Sequence, residues 1–525
     1  MDNTPSIGHP RRWLILGVLV VSLLVVILDT TVLNVAMKTI ADPIHGLGAS
    51  QTELEWATNS YTLVFAGLLF TWGVLGDRLG RKKILLTGLA LFGLASAASA
   101  YAQTAGELVA ARALMGIGAA AIMPATLAII SNVFDPRERA KAIGTWAGAV
   151  GIGVAVGPVV GGLLLENFWW GSVFLLNVPV VLAGLVAVAA LVPDSRNPRP
   201  GSLDVAGVLL SIAGLGLLVY GIIDGGEHGF GRVRSFGTLA AGLALLVTFV
   251  LVERRVRYPS LDVSLFRNPR FSAAVGSIGL VFFAAMGTFF FMAFYLQLVR
   301  GFSPLKSGLL ATPFAVAQLV CAPLSANLVR RYGPKAVCAV GLGLVVVAMA
   351  GFVTIDEHTS VWVLGALFFV QGVGMANVMP PATESIMSTL PREKAGVGSA
   401  VSNTIRQVGG ALGIAILGSV LAAAYRARIQ DQVGQLPSAA RTGATESIAG
   451  TYAAAQHLGG AGSALITAGN RAFIQALHVG ALGSAIATLL GLVVVLVWLP
   501  RRSATIPTAP EPAVPVDDRL ELAEV

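Results

Sequence analysis

Asp29 and Arg112 are the charged side chains that sit well inside long apolar runs of this 525-residue sequence, in LLVVILDTTVLNVA and ELVAARALMGIGAAA. A charge held mid-membrane costs about 2.5–3.5 kcal/mol on insertion scales. The apolar medium penalises the ionised carboxyl, which is the setting in which Asp29 could exchange a proton near neutral pH. Asp29 could equally contact a cationic ligand, or bond a neighbouring hydroxyl such as Thr30 and serve packing alone. Arg112 cannot lose its proton, so it must be paired or hydrated; a structural ion pair or a carbonyl clamp between helices would also satisfy it. Glu384 and Arg406 lie nearer the ends of their runs and could pair or line an entrance. None of the six histidines falls mid-span, and there is no metal-ligand cluster, catalytic nucleophile or GxxxxGK[ST] loop. An enzyme, ATP-driven transport and a bound cofactor are therefore not expected.

The elements that must position these residues are membrane helices. The chain is 55% hydrophobic and 12% charged, about half the charge of a soluble domain. Apolar stretches of about 17–25 residues predict fourteen helices, near 13–34, 55–75, 84–103, 105–128, 141–164, 172–193, 205–223, 237–253, 271–297, 305–328, 336–355, 361–386, 398–422 and 476–500. Only a short hinge separates 84–103 from 105–128. The expected organisation is a cytoplasmic N-terminus (1–12), a six-helix half (13–193), a two-helix hairpin (205–253), a second six-helix half (271–500) whose Ala/Gly/Gln-rich segment 423–475 is either a long external loop or partly helical, and a disordered cytoplasmic tail (501–525). The first run is long and lacks a prompt A-x-A cleavage pattern, so it reads as a retained span. Lys and Arg gather on the side of the termini, in clusters such as Arg78, Arg81, Lys82, Lys83 and Arg254, Arg255, Arg257. The positive-inside rule puts that side in the cytoplasm and turns the net charge of +8 into a topology signal rather than a nucleic-acid footprint. Cys321 and Cys338 read as packing residues. Arg outnumbers Lys 28 to 7, as in a high-GC bacterial genome.

Self-comparison reveals a repeat. Gly116-Ile-Gly118 with Pro124 matches Gly372-Val-Gly374 with Pro380. Pro136-Arg-Glu-Arg-Ala140 matches Pro391-Arg-Glu-Lys-Ala395, and Arg78-Leu-Gly80-Arg-Lys82 matches Arg331-Tyr-Gly333-Pro-Lys335. The first six spans thus correspond to the last six, the layout of alternating-access carriers with a midplane site between repeats. In this alignment Arg112 faces Phe368, and Asp29 faces an apolar stretch near Ala284.

Four motifs carry a family resemblance. Gly73-Val-Leu-Gly76-Asp77-Arg78-Leu-Gly80-Arg81-Lys82-Lys83 follows the second span. Leu108 to Gly118, with Arg112, lies in the fourth. Gly144, Gly148, Gly151, Gly153, Gly157-Pro158 and Gly161-Gly162 lie in the fifth, and Leu28-Asp29-Thr30-Thr31-Val-Leu-Asn34 in the first. With the segment Leu165 to Pro179, containing Asn177, the sequence resembles the major facilitator superfamily, specifically its fourteen-span QacA/EmrB-like drug:proton antiporters.

The resemblance implies an all-α major facilitator fold in a bacterial cytoplasmic membrane, driven by the proton gradient and exporting amphipathic drugs, antiseptics or antibiotics. It implies coupling through Asp29 and Arg112, a conformational latch at Gly73, Gly76, Asp77, Arg78, Gly80 and Arg81, and an antiporter seal at Gly144, Gly148, Gly153, Gly157, Pro158, Gly161 and Gly162. Asp77 could cap a facing helix near Gly396–Ala400, or the basic residues could only set topology. Candidate cavity residues are Asp29, Asn34, Asn59, Gln318, Glu384, Asn403, Arg406 and Gln407. Asn59, Gln318, Asn403 and Gln407 stand where quaternary-ammonium exporters of this branch carry acids, which argues against a dicationic substrate. The aromatic and Met residues of the ninth span, from Phe282 to Tyr295, could supply part of an apolar wall. A dedicated exporter of an endogenous natural product, and a nutrient symporter, are the alternatives. The expected partners are a small amphipathic substrate, protons and lipid, with no nucleic acid, and the expected working unit is a monomer.

Overall fold

The computed structural model describes residues 9–196, 204–229, 231–256, 263–389, 395–434, 438–456 and 460–499. Among them every regular element is a helix, as lipid demands of a backbone that must satisfy its own hydrogen bonds. The long helices are α1 (Arg12–Ala41), α2 (Gln51–Leu79), α3 (Arg81–Ala100), α4 (Ala105–Val133), α5 (Pro136–Asn167), α6 (Ser172–Leu191, interrupted at Leu176), α7 (Val205–His228), α8 (Val233–Glu253), α9 (Pro269–Phe294, continued by a π turn to Val299), α10 (Pro304–Tyr332), α11 (Pro334–Phe352), α12 (Val361–Ser388), α13 (Ala395–Ile429) and α14 (Gly460–Trp498). Twelve helices of the described residues are long and apolar enough to cross a membrane, or thirteen with α2, bent by 50° between Leu69 and Thr71, taken as one span. Several side chains of α5 lie outside the described ones, and α5 does not enter that number.

Polar caps stop the helices at the ends of the bundle. Ser50 and Glu53 form a capping box on α2, and Thr104, Ser303 and Ser360 accept from the first turns of α4, α10 and α12. The hinge at 101–104 separates α3 from α4, so 84–103 and 105–128 are two helices. Of the two readings of 423–475, the described residues take the helical one: α13 continues to Ile429, two short helices follow at Ser438–Glu446 and Ile448–Gln456, and α14 starts at Gly460. Its Ala-rich composition favours helix wherever tertiary contacts exist, and Tyr425 bonding Thr451 supplies one, at 2.5 Å.

The sequence repeat is a structural repeat. In the first half α1 packs on α5, α2 and α3 on α4, and α3 on α6; in the second α9 packs on α13, α10 and α11 on α12, and α11 on α14. Between halves, α2 packs on α13 and α5 on α10, which are the same pair under exchange of the repeats. The matched glycines do the same work. A Cβ on Gly116 would meet the Tyr61 carbonyl at 2.6 Å, and one on Gly372 would collide with the Phe314 carbonyl. A Cβ on Gly118 or Gly374 would meet the backbone oxygen of Gly88 or Gly341, at 2.8 and 2.7 Å. Gly80 and Gly333 turn the chain with φ of +114° and +83°, a region that favours glycine. Helices α7 and α8 pack on each other, and α7 also lies against α2 and α13.

Candidate functional site

Helix α4 can lie close to α2 because Gly116 presents no side chain, and one turn earlier that places Arg112 between α4, α2 and α1. Its Nη1 donates to Asp29 Oδ2, and both side chains are about 1% exposed. Arg112 Nε donates to the Ala57 carbonyl of α2 at 3.1 Å, and Nη1 also approaches Met115 Sδ at 3.7 Å. The guanidinium lies over the Tyr61 ring, 4.4 Å from its centroid, with Phe174 at 5.9 Å. The second carboxyl oxygen of Asp29 accepts from Asn177 Nδ2 at 3.3 Å. Asn177 also donates to Ser96 Oγ at 3.0 Å, and Ser96 donates to the Phe174 carbonyl at 2.8 Å. Five helices of the first half thus meet at one closed polar knot: α1, α2, α3, α4 and α6.

A buried pair of this kind adds little stability over an apolar filling, but breaking it leaves an uncompensated charge and costs about 3–5 kcal/mol. Chemically it offers a carboxyl that can accept a proton, held by a cation that cannot give one up.

The second half has the same place without the charges. Phe368, the counterpart of Arg112, stacks on Phe289 at 5.8 Å, and Phe289 meets Phe314, the counterpart of Tyr61, edge-on at 4.9 Å. Thr288 donates to Met349 Sδ at 3.3 Å and lies 3.4 Å from Ser484 Oγ. Met349 is the counterpart of Ser96, so Thr288 and Phe289 fill the matching region of the second half.

The fifth-span glycines divide their work. Gly153, Gly157 and Gly161, four apart, face α1: Cβ atoms there would meet Ile27 at 2.8 Å, Thr31, and Val32 at 2.8 Å. Pro158 and Gly162 face α10 of the other half, Gly162 against Leu305 and Pro158 against Gly308. Gly144 and Gly148 lie in α5 among residues whose contacts are outside those described.

The loop motif forms contacts within its own half. Arg81 donates Nε and Nη2 to Asp77 Oδ1 at 3.1 and 2.9 Å, and Nη1 to the Ala128 carbonyl at 3.3 Å. The Arg81 N–H bonds the Ser195 carbonyl at 2.9 Å, and a Cβ on Gly80 would meet Asp194 Oδ1 at 2.7 Å. The side chains at 396–400, expected to face Asp77, lie outside the described ones. Gly73 and Gly76 lie on the last turns of α2, and Arg78 beside them is exposed.

The remaining cavity candidates scatter. Asn34 donates to its own helix at the Thr30 carbonyl, 3.3 Å away. Asn59 is fully buried, with no hydrogen-bond partner on either amide atom among the described residues. Gln318, Asn403 and Gln407 are partly exposed, and Glu384 is exposed. No Glu384–Arg406 pair forms among the described residues; Arg406 lies over the Phe282 ring at 5.6 Å. No group of metal-ligating side chains occurs among them either. The sequence reading did not assign Ser96, Tyr61, Phe174 or Asn177 to the site. Asn177 stands in the sequence only as part of the segment Leu165 to Pro179; Ser96 and Tyr61 carry no signal beyond polarity.

The closest described contacts between the halves gather at one end of the bundle, the far end from the chain termini. Lys38 Nζ donates to the Gln297 carbonyl at 2.9 Å and Gln297 Nε2 to the Val35 carbonyl at 2.8 Å. Gly162–Leu305, Pro158–Gly308 and Glu55–Gly418 lie at the same end.

The model of the Major Facilitator Superfamily matches residues 19–414. The chain belongs to this superfamily. It is 36% identical over 422 residues to the tetracenomycin C resistance and export protein of Streptomyces glaucescens, covering 80% of this chain and 78% of that one. It is 36% identical over 462 residues to the multidrug efflux pump LfrA of Mycolicibacterium smegmatis, covering 87% and 90%. The fold resembles that of a bacterial homologue of the human lysosomal transporter Spinster, with a TM-score of 0.66 at 18% identity, covering 96% and 100% of the two chains. This major facilitator chain is therefore a multi-pass membrane transporter rather than an enzyme, and its relatives are named as drug-resistance and export proteins.

Proposed function

We propose that this transporter is a proton-coupled antiporter of fourteen spans that exports amphipathic drugs or antibiotics across a bacterial cytoplasmic membrane, with both termini and the near end of the bundle in the cytoplasm. One observation carries the reading: the buried carboxyl of Asp29 and the guanidinium of Arg112 are confined to one half, while the matching place in the other half is aromatic and uncharged. A proton on Asp29 weakens its hold on Arg112, which is also bonded to α2 at Ala57. Proton occupancy is thereby transmitted to α1, α2 and α4 together. Contacts between the halves at the far end fit a state that faces the cytoplasm, in which substrate enters as the proton leaves. The names of the relatives supply the substrate class.

The test is dye efflux in everted vesicles. Asp29→Asn is expected to lose proton-driven transport while reaching the membrane at the parent's level; wild-type efflux in that variant would remove Asp29 from the mechanism. A dedicated exporter of one natural product is the second reading, favoured by the neutral Asn59, Gln318, Asn403 and Gln407 and by the relative named for tetracenomycin C. A resistance spectrum limited to one compound class would select it.

A further inference from the structure

Arg406 is a cation set inside the apolar bundle without an acid beside it. It lies about three turns into α13 and is half-buried. Its guanidinium lies over the Phe282 ring of α9, 5.6 Å from the centroid, and it makes no ion pair or hydrogen bond among the described residues. The acids of the surrounding helices are engaged or stand elsewhere. Helices α9, α13 and α14 contain none. Asp29 of α1 bonds Arg112, and Asp77 of α2 bonds Arg81. Glu55 of α2 faces Gly418, about three turns further along α13. The acids of α7 lie in its last turns at the far end, and Glu384 of α12 is exposed. An arginine keeps its proton, and a charge at membrane depth calls for a partner or a water-filled cavity.

Helix packing sets the guanidinium beside an aromatic stripe. A Cβ on Gly279 would meet Ile405 at 3.3 Å, and one on Gly410 would meet Met286 at 2.9 Å; Arg406 stands between these two contacts. Along α9, Gly279, Phe282, Phe283, Met286 and Phe289 are half-buried and share a face at spacings of three and four. Val281, Ala284, Ala285 and Phe290, on the other faces, are fully buried. On α13, Asn403, Arg406 and Gln407 share a face by the same spacing and are half-buried as well. Two amides and a guanidinium would be costly against lipid, so the space they border lies inside the bundle. One side of it is aromatic and Met-rich, and the other holds a cation between two neutral amides.

We infer that Arg406 binds the acidic group of a substrate, so that the amphiphiles this chain exports include anions. A carboxylate, phenolate or sulfonate accepts hydrogen bonds from the guanidinium fork. The aromatic body to which it is attached lies against Phe282, Phe283 and Met286, flat rings and a flexible thioether that accommodate varied shapes. This rests on the export reading above and names a substrate class for it.

The test is binding to the full chain in phosphatidylcholine nanodiscs, without a proton gradient, with empty nanodiscs as the blank. The probes are pyrenebutyrate and its uncharged amide, pyrenebutyramide, which share one aromatic body. The parent is expected to bind the acid at least about tenfold more tightly than the amide, as hydrogen bonds between charged groups would give. Arg406→Gln should bring the two affinities together, and Arg406→Lys should keep part of the preference. A parent without the preference, or an Arg406→Gln protein that retains it in full, overturns the assignment. If Arg406→Gln does not fold, the parent is treated with phenylglyoxal and its arginines are read by mass spectrometry. The acid should slow modification of Arg406 more than the amide does at the same concentration; equal rates overturn the assignment. A chain that binds the acid through Arg406 but exports nothing would sink the export reading alone, and ethidium export by a chain with no preference for the acid would sink only the role of Arg406.

Discussion

Arg112 and Asp29 close an ion pair across 83 residues of sequence, linking α4 to α1 in a pocket that excludes water from both side chains. Everything nearby is arranged around it: Asn177 on the other carboxyl oxygen, the Ala57 carbonyl on Arg112 Nε, and Tyr61 under the guanidinium.

That geometry separates stability from function. Asp29→Ala alone leaves a buried cation and should lower the melting temperature of the purified protein by several degrees, from a cost of about 3–5 kcal/mol. The double variant Asp29→Asn, Arg112→Met should recover most of the loss and still fail to export. Melting curves with vesicle efflux check both; recovered efflux in the double variant would make the pair purely structural.

Arg112→Lys keeps the charge but cannot serve Asp29 and the Ala57 carbonyl with one planar fork. Efflux is expected to fall at least about tenfold, equivalent to about 1.4 kcal/mol, with normal membrane levels. Lys supporting parental efflux would show that charge alone suffices.

Asn177 touches Asp29 through a neutral amide that a sequence reader sees only as part of a longer motif. Asn177→Leu removes a hydrogen bond to a charged group, worth about 1.5–3 kcal/mol. It should displace the pH profile of efflux as well as reduce its rate. A lower rate with an unmoved profile would mean that Asn177 only packs.

The seam between α5 and α10 depends on glycine. Gly308→Val would drive a side chain into the Pro158 carbonyl, so the far-end closed state should be lost. A membrane-impermeant maleimide should then label a cysteine at Leu305 faster than in the Gly308 parent; equal labelling rates would show that the seam yields elsewhere.

The sequence revealed the apolar spans, the repeat and the two mid-span charges because each has a one-dimensional signature: hydropathy, a near-constant offset, and the rarity of charge in lipid. It aligned Arg112 with Phe368 correctly, since the glycines flanking both are fixed by close helix approach. The pairing of Asp29 with Arg112 and Asn177 spans three helices and has no sequence signature at all. Asp77, by contrast, pairs with Arg81 only four residues on, a spacing that can be read in the sequence.

The most direct test of coupled export is to record both fluxes together. Purified protein is reconstituted into liposomes holding a pH-sensitive dye, ethidium efflux is followed in the same sample, and parent and Asp29→Asn are compared under an imposed proton gradient. The account expects ethidium and protons to move in opposite directions in the parent, each flux driving the other, and both to be lost in Asp29→Asn. Ethidium movement without counter-flow of protons in the parent, or coupled fluxes that survive in Asp29→Asn, would contradict it.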